Sequence, residues 1–144
     1  MEMLQNGKGN SGKTGSFLSN NKMAFLIDSN IIIYSFSDEY DYLRDLVVNE
    51  NANVSEISRV EVLGYHGLNR KQIKYFEDVF SYVSILVPTG EIFEKAIEVR
   101  QKNNLKLGDS IIAATVLVYG LTLYTRNIKD FERVSGLVCV NPIR

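Results

Sequence analysis

Four acids stand where apolar runs meet turns: Asp28 after AFLI, Glu61 within SRVEVL, Asp109 before SIIAATVLVY, and Asp130 after LYTRNIK. A ligand set made only of carboxylate oxygens suits hard cations, Mg2+ or Mn2+, rather than zinc, which favours His and Cys. Mg2+ held by carboxylates mostly serves phosphate chemistry, in which it activates a water, orients the scissile phosphate and stabilises charge on the leaving oxygen. No nucleophilic side chain is then required. The chain offers no Ser/His/Asp or Cys/His set; its lone His66 has no companion, and its lone Cys139, in LVCV, reads as a small core residue.

Each acid also has a plainer reading. Asp28 and Asp109 can each cap a following helix, since Asp is a favoured N-cap residue. Ser58 and Glu61 have the S-x-x-E spacing of a capping box, and Asn127 with Asp130 can form a similar cap. Four caps at one place, however, would cluster four negative charges, which raises pKa values or destabilises the fold. A bound cation is the simplest relief. Asp38, Glu39, Asp41, Glu77, Asp78, Glu94 and Glu98 fall on patterns of solvated helix faces.

The elements that must position these acids follow from the pattern along the chain. AFLID reads as a short apolar strand, and NIIIYSF with the charged DEYDYLRDLVVNE after it as helix. ANVSEIS reads as a second strand and SRVEVLGYHGL as the helix leaving it. RKQIKYFEDVFSYV places Ile73, Phe76, Phe80 and Val83 on one face at helical spacing. SILV is a third strand, and Thr89 can cap a helix running to about Gln101. Asp109 opens an apolar helix that Gly120 stops. LTLYT and LVCV are strands four and five. Strands apolar on both faces, alternating with helices, indicate a parallel sheet covered by helices.

Topology then gathers the acids. In a parallel sheet every strand ends at the same edge, and ligand sites form beyond those carboxyl ends. Asp28 closes strand one. Glu61 is expected in the first turn of the helix leaving strand two. Asp109 begins the helix that descends to deliver strand four, and Asp130 follows that strand.

Size and charge bound the rest. A chain of 144 residues with 45% apolar residues has room for one ordinary domain. The formal charge is −1; without residues 1–22, which hold three Lys and one Glu, 13 basic residues face 16 acidic ones. Nucleic-acid binding by overall basicity is excluded. A metal-dependent nuclease is not, because bound cations reverse the field that a phosphate meets. The single cysteine fits a reducing compartment. The longest nearly apolar run, Ile111 to Tyr124, is broken by Gly120 and too short to span a bilayer. With no secretory signal in view, a cytoplasmic protein without membrane attachment is expected.

Residues 1–22 are rich in Gly, Ser, Asn and Lys and lack apolar periodicity, so they read as a flexible N-terminal extension ahead of a domain over 23–144. Gly7 to Thr14, GKGNSGKT, satisfies the phosphate-loop pattern G-x-x-x-x-G-K-[ST]. That chemistry needs a buried strand entering the loop and a helix leaving it. MEMLQN and TGSFLSNNK supply neither.

From Met23 to Arg144 the chain resembles the PIN-domain family, in particular the VapC-type toxins of bacterial toxin–antitoxin pairs. AFLIDSNIIIY is similar to the family's first strand with its D-[ST]-N signature, giving Asp28, Ser29 and Asn30. SRVEVLGY is similar to the segment carrying the family's glutamate, here Glu61, with Arg59 where a small hydroxyl residue is commoner. LKLGDSIIAAT resembles the third acidic motif around Asp109, with Gly108 where proline is frequent. LYTRNIKDFERV resembles the closing T-x-N-x-x-D-F motif, giving Thr125, Asn127 and Asp130.

The resemblance implies a three-layer α/β/α sandwich with strand order 3-2-1-4-5. It also implies Mg2+- or Mn2+-dependent endonucleolytic cleavage of RNA, commonly leaving a 5′-phosphate and a 3′-hydroxyl, together with homodimers and inhibition by an antitoxin protein. On this reading Asp28, Asp109 and Asp130 serve the metal directly or through water, and Glu61 the metal or the attacking water. Ser29, Asn30, Thr125 and Asn127 hold those carboxylates in place. Arg126, Lys129 and Arg133 meet RNA phosphates by charge or form a solvated surface. Two other classes compete. A phosphohydrolase with an aspartyl nucleophile lacks its second acid, because position 30 is Asn; a non-catalytic PIN domain that binds RNA or protein is at odds with the retention of all four acids.

Overall fold

The computed structural model describes residues 24–144, so the phosphate-loop pattern at 7–14 and the extension over 1–22 lie outside the described residues. Five strands form one sheet: β1 (Phe25–Ile27), β2 (Ala52–Ser55), β3 (Ser84–Leu86), β4 (Thr122–Tyr124) and β5 (Val138–Val140), in the order β3-β2-β1-β4-β5. Every neighbouring pair is parallel. This is the expected strand order, with its switch point between β1 and β4.

β1 shows why the sheet is covered on both sides. Phe25, Leu26 and Ile27 are all buried; Phe25 and Ile27 join one core cluster while Leu26 joins another. Successive strand side chains point to opposite faces, so an unbroken apolar run requires a layer on each. One layer is built from α1 (Ser29–Ser35), a 3-10 helix (Asp38–Leu43), α2 (Arg44–Val47), α3 (Glu56–Leu63) and α4 (Arg70–Tyr82). The other holds α5 (Gly90–Lys102) and α6 (Leu107–Tyr119), while α7 (Ile128–Phe131) follows β4 and buries Phe131 in the same core.

Local signals act where the sequence places them. Thr89 accepts a hydrogen bond from the Ile92 N–H and caps α5. Gly120, at φ 67 and ψ 40, ends α6 in the left-handed conformation that glycine adopts without penalty. On α4, Phe76 and Phe80 are buried, with Val83 just beyond the helix, but Ile73 remains 39% exposed at the layer's rim.

Two expected boundaries move. Strand two does not extend through ANVSEIS: it stops at Ser55, whose hydroxyl accepts from the Ile57 N–H and starts α3. Glu61 therefore occupies the second turn of α3, not the first, and Ser58 is not its capping partner. Asp109 does not open its helix either. α6 starts at Leu107 after Lys106, with no side-chain cap, so Asp109 is a first-turn residue whose carboxylate caps nothing. No helix among the described residues is long and apolar enough to cross a membrane.

Candidate active site

The switch point between β1 and β4 places Asp28 beside Thr125. Asp28 follows β1 directly and is only 4% exposed; its N–H donates to the Tyr124 carbonyl at 2.9 Å. The Thr125 hydroxyl donates to Asp28 Oδ2 at 2.8 Å, and Asn30 Nδ2 donates to the same oxygen at 3.3 Å. Asp28 Oδ1 accepts from the Ser29 N–H at 2.8 Å, so Asp28 does cap α1. Thr125 Oγ1 in turn accepts from the Asn127 N–H at 3.0 Å and from Asn30 Nδ2 at 3.4 Å. Capping and site-building are thus one arrangement.

Electrostatics show which acids share the neighbourhood. Burial pushes the Asp28 carboxyl above its ordinary range, opposed by the Thr125 and Ser29 hydrogen bonds, reinforced by the Glu61 charge and eased by Asn30. Burial also raises Asp109; the charges of Asp28 and Asp130 add to this, and Lys106 opposes it. Like charges that raise one another are close enough to interact. Glu61 reaches the N-terminus of α6, where its Oε2 lies 3.1 Å from the position a Cβ would take on Gly108.

Asp130, in α7, is held differently. Asn127 Nδ2 donates to its Oδ2 at 2.8 Å, and Arg133 Nη2 approaches its Oδ1 at 3.5 Å. Arg133 also donates to the Asn104 carbonyl at 3.2 Å, which ties this acid to the loop before α6. Arg126 and Lys129 are exposed on the same edge. Ser29 contributes its backbone N–H; Asn30, Thr125 and Asn127 contribute side chains.

Asp28 thus lies within electrostatic reach of Glu61 and Asp109, and Asp109 within reach of Asp130. Among the described residues, no three acidic, histidine or cysteine side chains converge closely enough to enclose an ion. The donor chemistry nevertheless fits a hard cation, because Mg2+ usually keeps several waters and is bound through one or two carboxylates.

Three residues clarify what the sequence left open. Arg59 turns to Glu56, with contacts of 2.8 and 2.6 Å, and holds that carboxyl below its ordinary range. His66 is exposed and packs against Tyr65. Cys139 is half-buried, its thiol pushed up by burial and by Glu132. The approach of Glu61 to Gly108 is not foreseen from the sequence; the one signal is the glycine itself, standing where proline is frequent.

The PIN domain family model matches residues 25–137. Ribonuclease VapC of Rickettsia bellii is 27% identical over 127 residues, covering 80% of this chain and 93% of that protein. Ribonuclease VapC1 of Rickettsia felis is 27% identical over 97 residues, 66% of this chain and 67% of that protein. A chain of a toxin–antitoxin complex from Klebsiella pneumoniae superposes with a TM-score of 0.66 at 31% identity, covering 84% of this chain and 99% of that one.

Proposed function

This chain belongs to the PIN-domain family, and from that we propose that it is a metal-dependent endoribonuclease, the toxin of a type II toxin–antitoxin pair. The observation that carries the reading is the buried Asp28 at the switch point. It is fixed by Thr125, Asn30 and Ser29, and it shares its neighbourhood with Glu61 and Asp109. Relatives named ribonuclease VapC and a structural neighbour from a toxin–antitoxin complex support the RNA substrate and the antitoxin partner.

Asp28, Glu61, Asp109 and Asp130 are the residues that would hold Mg2+ or Mn2+, directly or through water. The cation, when bound, supplies a more acidic water and charge neutralisation at the phosphate. Asn30 and Thr125 fix the Asp28 carboxylate, and Asn127 fixes that of Asp130, so neither has to reorganise when substrate arrives. Lys106, Arg126, Lys129 and Arg133 offset the acidity of the edge toward an anionic strand. The chain acts in the cytoplasm as a homodimer that the antitoxin silences.

The test is cleavage of total cellular RNA by native protein and by Asp28→Asn, with Mg2+ or Mn2+ and with chelator. Metal-dependent cutting that the variant loses is the expected result. One observation favours a second reading, a non-catalytic PIN domain that binds RNA or protein: the acids do not close around an ion-sized point. Failure of any divalent cation to bind, measured by calorimetry, would give that reading the lead.

A further inference from the structure

Beside the acids, on the α1 side, lies a run of tyrosines that the carboxylate chemistry does not use. Tyr34 is on α1; Tyr40 and Tyr42 are on the 3-10 helix. Tyr34 and Tyr40 meet edge to face, 5.0 Å between centroids with their planes at 89°, and Tyr40 meets Tyr42 at 6.3 Å and 62°. Two guanidinium groups flank them: Arg126 lies 5.3 Å over the Tyr34 ring and Arg144 lies 4.3 Å over that of Tyr42. The three rings are half-buried and both arginines exposed. Among the described residues, the Tyr34 and Tyr40 hydroxyls have no hydrogen-bond partner and Arg126 has no ion pair.

This face is joined to the acids through one side chain. The Arg126 N–H donates to Asn30 Oδ1 at 3.1 Å, and Asn30 Nδ2 donates to Asp28. It is also held in place. Ser37 caps the 3-10 helix, Tyr40 breaks its regular turn at φ −116 and ψ 31, and Arg44 binds the Ser35 and Phe36 carbonyls at 2.7 and 2.8 Å. Packing against the core accounts for the inner edges of the rings. It does not account for the two exposed cations laid over the Tyr34 and Tyr42 rings.

We propose that Tyr34, Tyr40 and Tyr42, with Arg126 and Arg144, form a stacking site for unpaired nucleobases of the strand whose phosphate meets the acids. The inference rests on the ribonuclease reading and names what that site selects, single-stranded RNA. Bases splayed from a strand stack on aromatic rings and guanidinium planes, whereas bases within a duplex already stack on one another. Such contacts are worth about fivefold to a hundredfold in affinity per base. In a chain of formal charge −1, stacking adds a hold on the strand that does not depend on attraction to its phosphates.

The test is fluorescence anisotropy with the full chain in Ca2+, comparing a fluorescein-labelled 12-nucleotide oligoadenylate with an all-abasic strand of equal length. The native protein should bind the base-bearing strand at least about tenfold tighter. Tyr40→Leu should bring that ratio to near unity, and Tyr40→Phe, which keeps the ring, should retain it; thermal melts check that both variants fold. No preference for bases in the native protein, or a preference that survives Tyr40→Leu, overturns the proposal, the latter outcome leaving the face to a protein partner. Cleavage assays with Mg2+ run in parallel separate the two readings. Cutting without base preference sinks the stacking site alone, whereas base preference without cutting sinks the nuclease and leaves an RNA-binding domain with this site.

Discussion

Glu61 and Gly108 meet across the α3–α6 contact: a Cβ on Gly108 would come within 3.1 Å of Glu61 Oε2. That spacing is tighter than ordinary van der Waals contact, but the opposing atom ends a flexible, exposed side chain. Gly108 is thus the position at which the first turn of α6 leaves room for the Glu61 carboxylate. Gly108→Ala should therefore separate stability from site geometry. Alanine is favoured over glycine in a helix by about 1 kcal/mol, less in a first turn. Denaturant melts should show unchanged or slightly raised stability, while metal-dependent cleavage falls about two- to tenfold. A large loss of stability would show that Glu61 cannot yield, and unchanged activity that its approach to α6 is incidental.

Thr125 is completely buried, and its hydroxyl serves Asp28, Asn30 and the Asn127 N–H at once. Thr125→Val keeps the shape and removes the hydroxyl, leaving the buried Asp28 carboxylate and the half-buried Asn30 and Asn127 each short of a bond. A buried polar group left unpaired costs about 1–3 kcal/mol. The valine variant should lose stability in that range and most of its cleavage activity. Thr125→Ser, which restores the donor, should recover the larger part of both. Equal behaviour of the two variants would assign the role of Thr125 to packing rather than to holding Asp28.

Much of this arrangement is legible in the amino-acid sequence. The parallel sheet, the Thr89 cap and the Gly120 stop follow from periodicity and local chemistry, whereas the strand order, and with it the switch point that puts Asp28 beside the residues after β4, comes from the resemblance to the PIN-domain family. What is not legible depends on competing signals. Ser55 and Ser58 both precede helical sequence, and only the length of β2 decides that Ser55 is the cap, which moves Glu61 one turn along α3. The start of α6 at Leu107 has no capping side chain to announce it. The loose spacing of the acids and the tyrosine face arise from tertiary packing, which no single segment encodes.

The serine displaced from the cap has a consequence for stability. Ser58 is fully buried, and its hydroxyl has no hydrogen-bond partner among the described residues. Its desolvation is therefore uncompensated. Ser58→Ala removes that cost and one small volume, and alanine is the better helix former. The variant should melt at the native temperature or a few degrees above it. A loss of about 1 kcal/mol or more would reveal a partner for the hydroxyl, and parallel loss of cleavage would place that partner at the acids.

The carboxylates themselves set a pH dependence with a definite sign. Asp28 and Asp109 both have folded pKa values raised above the reference of 3.8, mainly by burial. A raised carboxyl contributes stability that is fully present below the unfolded pKa and is lost as pH rises through the folded one. In chelator, the stability of native protein relative to Asp28→Asn should therefore decline as pH rises from about 4 toward neutrality. A cation that binds the ionised acids of the folded state reverses this. At about 100 times its dissociation constant it adds about 2.7 kcal/mol, or about 10 °C in a domain of this size. Thermal melts of both proteins, with chelator and with Mn2+, should show that gain for native protein at pH 7, a much smaller one at pH 4, and little in Asp28→Asn. Equal gains in the two proteins would remove Asp28 from the metal site and leave it as the N-cap of α1, tied to the end of β4 through Thr125.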